Sequence, residues 1–264
     1  MEKENYVNYC SSVKQHMVSL LSNGKSGHLG GSLSALELMV VIYNDHIKGT
    51  ENKLIYSKGH CELLIYSIFI EEGIIERQYI KEYKKFGSPL QGHPNSSWIP
   101  ELGYSPGSLG QGLSFGIGLA ITGLEEGYQV FVLLGDGEMQ EGQIWEAALV
   151  AKRLKLSNLH VIVDCNGYQL EGKNLSFDSI YDMQIVWEKL GWHTVVIDNG
   201  HNIEMIKKQL DQAEKSDLPK IYFAKTVKGN SLSFAYDNND YHGVNLTQAE
   251  IEQARIEFGT RGDN

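Results

Sequence analysis

Two short apolar runs narrow the folds open to this chain. Val130-Phe131-Val132-Leu133-Leu134 and the stretch from Leu159 to Val163 are rich in β-branched residues. They read as strands buried on both faces, as in a parallel sheet. Between them Ile144, Trp145, Ala147, Ala148, Val150 and Ala151 recur at helical spacing. Strand, helix and strand in this order make a crossover unit, which turns both strand ends toward one edge of the sheet. The first run leads into Gly135-Asp136-Gly137 and the second into Asp164-Cys165-Asn166-Gly167-Tyr168, so Asp136 and Asn166 arrive at that edge thirty positions apart.

A carboxylate and an amide oxygen suit a hard cation such as Mg²⁺, which keeps positions for water and phosphate. Flanking glycines let the backbone turn tightly and leave room for a ligand. Gly-Asp-Gly on its own also fits a plain strand-to-helix turn with the Asp as helix cap.

The remaining pattern continues the alternation of strand and helix. Helices are expected over 6–21, 35–44, 63–71, 203–215 and 246–258, with Ser32 or Ser34 capping the second. Strands are expected over 54–56, 192–198 and 221–225. Residues 26–34 and 87–112 read as loops, and 259–264 as a frayed end. The fold class is therefore α/β, a mostly parallel sheet with helices on both faces and a single domain over 1–264. A chain of 264 residues with 42% hydrophobic content can bury a core of that size.

Charge and composition limit the function. A formal charge of −10 argues against a nucleic-acid surface. No apolar run reaches membrane length, and Met1-Glu2-Lys3-Glu4-Asn5 is charged rather than signal-like, so a cytoplasmic protein with no membrane role is expected. Cys10, Cys61 and Cys165 lack metal or disulfide spacing and read as buried free thiols.

GDGEMQEGQIWEAALVAKRLKLSNLHVIVDCNGYQLEG resembles the thiamine diphosphate signature of the transketolase family, which runs from GDG through a helix to an Asn. The resemblance implies that Asp136, the Asn166 side chain and the Tyr168 carbonyl ligate Mg²⁺, with Gly135, Gly137 and Glu138 beside the cofactor. Five further segments match in family order. SGHLGGSLSALELM, SKGH at 57–60 and GHP at 92–94 imply that His28, His60 and His93 are catalytic. The loop Gly107-Ser108-Leu109-Gly110-Gln111-Gly112 implies cofactor contacts through Gly107, Ser108 and Leu109, and KTVKGNSLSFAYDNNDYHG places His242 on the diphosphate. Glu141, in Gln140-Glu141-Gly142, corresponds to a family carboxylate at the subunit interface. His201 corresponds to a mainly structural histidine. His16, His46, His160 and His193 have no motif around them, and Trp145 and Glu146 read as packing or surface residues.

After SKGH the match weakens, because Cys61-Glu62-Leu63-Leu64 stands where small residues are usual. A more crowded or more polar wall there is expected to alter which sugar fits.

The resemblance covers about 6–258, yet a full transketolase continues into a pyrimidine-binding domain and a third domain. The glutamate that polarises the pyrimidine ring belongs to the second of these. A split transketolase is therefore expected, in which this chain pairs with a C-terminal, pyrimidine-binding subunit in an α₂β₂ assembly and moves a two-carbon ketol unit between sugars or sugar phosphates. The alternatives are transfer from pyruvate, as in deoxyxylulose-phosphate synthase, the α subunit of a 2-oxo acid dehydrogenase, against which the histidine motifs argue, and a non-catalytic scaffold subunit.

Overall fold

The two runs form strands one and two residues longer than expected, Val130–Gly135 (β2) and Leu159–Cys165 (β3). In the computed structural model, residues 3–174, 176 and 179–259 are described; the tail expected to fray lies outside them from residue 260 on. With Lys53–Tyr56 (β1), His193–Ile197 (β6) and Lys220–Lys225 (β7) these strands make one parallel sheet in the order β1-β2-β3-β7-β6. Tyr168–Gln169 (β4) and Gly172–Lys173 (β5) form a small separate hairpin.

Alternation along the strands builds two cores. Phe131, Leu133, Ile162, Tyr222 and Ala224 face one side, and Val130, Val132, Leu134, Val161 and Phe223 the other. The first core is covered by helices Lys3–Leu21 (α1), Leu36–Ile42 (α3), Glu62–Glu71 (α4), Ile203–Ala213 (α8) and Gln248–Glu257 (α9). The second is covered by Gln111–Glu126 (α5), Gly142–Leu154 (α6) and Ile180–Lys189 (α7). This is the expected doubly covered α/β sheet. α4 is apolar nearly all round and all but its last residue is buried, as a helix inside a core must be. α9 begins with a full capping box between Thr247 and Glu250.

Chain direction across the sheet reverses between β3 and β7. The connection into β3 passes over one face through α6, whereas β7 is reached over the other through α8. Loops leaving the carboxyl ends there diverge and open a crevice, the usual ligand position in such sheets.

One expectation fails locally. The stretch read as a loop with a serine cap is instead a helix, Leu29–Ser34 (α2), separated from α3 by Ala35, and neither serine caps α3. The Ser34 hydroxyl lies 3.0 Å from the Gly31 carbonyl and 2.5 Å from Asp164. Burial of every residue of α2 compensates its poor helix formers. Beyond α3 the chain widens into a π-turn, Tyr43–Ile47.

Candidate active site

The carboxyl ends of β1, β2, β3 and β7 surround a cavity of about 690 Å³. Its lining includes His28, His60, His93, Asp136, Asn166 and His242.

The floor is fixed by buried charge. Lys58, 1% exposed, sets its ammonium 2.5 Å from Oδ2 of Asp164 and 3.3 Å from the Gly31 carbonyl. Asp164 also accepts from Ser34 and Thr226, each at 2.5 Å. Burial opposes its charge, but Lys58 and the two hydroxyls outweigh that and hold the carboxyl below the usual carboxylate range. A second buried carboxylate, Glu138, accepts from Ser57 at 2.5 Å, from the Gly110 amide at 2.8 Å and from the Gly135 amide at 3.1 Å. Glu138 lines the cavity, yet its oxygens tie three loops together. Gly110 has φ of +81°, and a Cβ on Gly112 would fall 2.4 Å from Ser57, so the start of α5 can press against the end of β1 only with glycine there.

Asp136, 4% exposed, does not cap α6. Its carboxylate accepts from the Gly137 amide at 2.9 Å and reaches across to the Gly167 amide at 2.8 Å. Burial, followed by the neighbouring Asp164, pushes it up to about 6. The Asn166 Nδ2 lies 3.2 Å from Ser34 and 3.3 Å from Asp164, which turns its Oδ1 the other way, where it accepts from the Tyr168 amide at 3.0 Å. These groups fit a cation: a buried carboxylate raised by its surroundings, beside an oriented amide oxygen, is an incomplete hard-oxygen donor set. Among the described residues no group of three or more His, Cys, Asp or Glu is arranged for a metal. A cation held here therefore depends on a single carboxylate, with its other oxygens drawn from amide, carbonyl and ligand.

The structure gathers all four predicted histidines. The His28 ring lies 5.9 Å from His60, 5.8 Å from His93 and 5.7 Å from His242, and His60 stacks on His242 at 5.5 Å. Burial, then Lys58, holds His60 well below the usual histidine range. Burial, then Lys228, brings His242 to about 4. His93 stands exposed at the mouth, and desolvation on its inner side lowers it as well. Lys228 lies 2.7 Å from Nδ1 of His242 and donates to it, leaving the His242 proton on Nε2. Burial, then Lys58, lowers Lys228 to about 8.

Of the glycine-rich loop, Gly107 and Leu109 line the cavity, as do Gly135 and Gly137, while Ser108 is exposed outside the lining. Gln140, Glu141, Leu170 and Glu171 form an exposed outer rim. Trp145 packs on Trp187, Glu146 is exposed, and His201 bridges Glu37 and the Val227 amide as a structural residue. Cys10 and Cys61 are buried free thiols, but Cys165 is half-buried, since it ends its strand at the rim.

Sequence reasoning gave no site role to Lys58, Asp164, Thr226 and Lys228, and read Ser34 as a helix cap and Glu62 as part of a changed wall. Their signal was in view, because Lys58 lies inside SKGH and Lys228 inside KTVKG, but their partners are distant in sequence. A second cavity of about 520 Å³ lies beside β1, lined mostly by apolar residues such as Ile47, Tyr56, Phe69 and Phe115, and gathers no histidines.

Residues 7–264 match the family described as transketolase, thiamine diphosphate binding domain. One of the subunits of the apulose-4-phosphate transketolase of Phocaeicola vulgatus is 30% identical over 260 residues, which cover 94% of this chain and 92% of that one. The 6-deoxy-6-sulfo-D-fructose transketolase subunit of Clostridium sp. (strain MSTE9) is also 30% identical, over 89% of this chain and 90% of that protein. The crystal structure of transketolase from Campylobacter jejuni superimposes with a TM-score of 0.89 at 26% identity, over 98% of this chain but 43% of the longer one.

Proposed function

This chain belongs to the transketolase family, and on that premise we propose that it is the diphosphate-anchoring subunit of a two-chain, Mg²⁺-dependent transketolase. The observation that carries the reading is the convergence of Asp136, Asn166 and four histidines on one cavity at the reversal point of the sheet.

Asp136, the Asn166 Oδ1 and the Tyr168 carbonyl would hold Mg²⁺. Nε2–H of His242, backed by the buried Lys228, would meet the diphosphate, and the backbone at Gly107 and Leu109 would allow its close approach. Thiamine diphosphate, when bound, would supply a carbon nucleophile for transfer of a two-carbon ketol unit. His60 and His93, lowered by burial, are neutral at pH 7 and offer lone pairs to sugar hydroxyls. His28 lies between them. A ketose donor, phosphorylated or otherwise anionic, and an aldose acceptor are the substrate class, and the sugars in the names of the two subunit relatives support the donor half of it.

A partner subunit covers the exposed rim and supplies the glutamate of the pyrimidine site. Both subunit relatives are spanned almost entirely by this chain, which supports a division into two polypeptides. Phe115, Ile121 and Leu124 on α5 and Leu149 on α6 are exposed apolar side chains, as a surface covered by another chain would present. Glu141, exposed at the start of α6, sits where that cover would meet the cavity. An α₂β₂ assembly in the cytoplasm is the simplest arrangement. Among the described residues no helix is long and apolar enough to cross a membrane.

The test is purification of the tagged chain from its own cells with Mg²⁺ and thiamine diphosphate, followed by native mass measurement and a ketol-transfer assay. Recovery of a second α/β chain, with activity lost in Asp136→Ala, is expected. A lone homo-oligomer that binds no cofactor overturns the reading.

A further inference from the structure

α4 is apolar on nearly every side, yet its first residue, Glu62, is a carboxylate with 0% exposure. Burying such a group costs several kcal/mol unless donors meet it, and here three do. Oε1 accepts from the His28 amide at 3.2 Å and from the Tyr83 hydroxyl at 2.9 Å, while Oε2 lies 2.9 Å from Nδ1 of His28. Both the backbone and the ring of His28 are thus held by one side chain.

Among the described residues, His28 is the one cavity histidine with a carboxylate against its ring; His242 instead faces Lys228. An ionised carboxylate only accepts, so the nitrogen facing it must carry a proton. The other ring nitrogen then points the opposite way. It lies beside Gly243, where an added Cβ would approach it to 3.5 Å, and His28 and Gly243 both line the cavity.

We infer that Glu62 is a positioning residue that fixes the proton of His28 on Nδ1 and presents the Nε2 lone pair to a substrate hydroxyl. The inference deepens the proposed function, on which its kinetic consequence rests. It also gives a physical role to the polar residue that follows SKGH, because the group it adds to the wall acts through His28 rather than on the sugar.

The experiment reads proton position directly. Full chain labelled with ring-¹⁵N histidine, without cofactor, gives the state of each His28 nitrogen by NMR, with His28→Asn supplying the assignment. The wild type is expected to show a protonated Nδ1 and an unprotonated Nε2, and a ring protonated on both nitrogens overturns the inference. In Glu62→Gln, the introduced amide oxygen must serve the two donors now meeting Oε1, so its NH₂ faces Nδ1 and the proton moves to Nε2. Tyr83→Phe, which removes one competing donor and keeps the carboxylate, is expected to retain the proton on Nδ1. An unprotonated Nδ1 in the wild type overturns the inference whether or not any variant folds, and so does unchanged proton placement in folded Glu62→Gln. In the reconstituted enzyme, Glu62→Gln is expected to lower kcat/KM for the sugar at least about tenfold, the loss of one good hydrogen bond, with cofactor affinity unchanged. Unaltered kcat/KM overturns the functional part. Absence of ketol transfer in the wild-type complex is a failure of the proposed function instead, and leaves the NMR result standing.

Discussion

Asp136 and Asp164 end neighbouring strands, joined by the Asp136 amide donating to the Asp164 carbonyl at 3.2 Å, and their carboxyl groups are driven in opposite directions. Lys58 stands against Asp164 and keeps it charged; burial and the charge on Asp164 make ionisation of Asp136 unfavourable. One carboxylate of the pair is thus compensated from within the fold, and in the proposed reading a bound cation would compensate the other.

A pH dependence of stability follows for the metal-free chain. Asp136 is raised to about 6 in the fold. The stability it contributes is therefore complete below the unfolded carboxylate value and is lost as pH rises through 6. Asp136→Asn, which does not titrate, is expected to gain on wild type by on the order of 3 kcal/mol between about pH 4 and pH 7. Urea denaturation of both proteins across that range measures the gain, and a constant difference contradicts the assignment. Mg²⁺ with a diphosphate ligand should close the gap in the wild type and not in the variant.

Removing one member of the Lys58–Asp164 pair leaves the other charge buried alone. Lys58→Met or Asp164→Asn is expected to cost about 3–5 kcal/mol. The double variant should lose less than the sum of the two, because neither orphaned charge remains. Additive losses in a thermal-denaturation cycle would mean that the two groups do not interact.

Anion binding should depend on Lys228. It titrates near 8 in the free fold, so the affinity for a diphosphate is expected to fall as pH rises above 8, when the ammonium is lost before binding. Lys228→Met should bind about 10–100-fold more weakly, on the scale of a charge-assisted hydrogen bond, and show a flat profile over pH 7–9. Calorimetric titration with pyrophosphate and Mg²⁺ tests both.

Gly112→Ala should destabilise the fold by roughly 1–3 kcal/mol or more, since the new methyl meets the Ser57 side chain and pushes α5 from β1. The same shift pulls the Gly110 amide from Glu138. Loss of cofactor affinity beyond the loss of stability is therefore expected, and hydrogen exchange at Gly110 reports it.

The sequence makes Asp136, Asn166, His28 and His60 legible because each lies in a short motif just after a strand or before a helix, whereas His93 and His242 stand in irregular chain and are legible only from the motifs around them. Lys58 and Asp164 are 106 positions apart, and Ser34 and Asp164 130 apart. No local pattern announces such pairs. Glu62 reads from sequence only as part of a changed wall after SKGH, and its meaning depends on His28, 34 positions away. α2 was hidden for a related reason. Its glycines and serines favour a loop, and only the surrounding core and the use of Ser34 by Asp164 make a helix preferable. The sheet itself was readable because burial on both faces writes an unbroken apolar run into each central strand.

Glu138 holds the ends of β1 and β2 and the first amide of α5 in one knot of hydrogen bonds, and it needs no ligand to do so. The inner half of the cavity is thus held by hydrogen bonds within the chain itself. A diphosphate arriving there should order little of the chain, so association should be fast and carry a small entropic penalty. The ordering that remains falls on the exposed rim at Gln140, Glu141 and Leu170. The slow step in forming the complete site would then be closure of the rim by the second polypeptide, with cofactor capture preceding it.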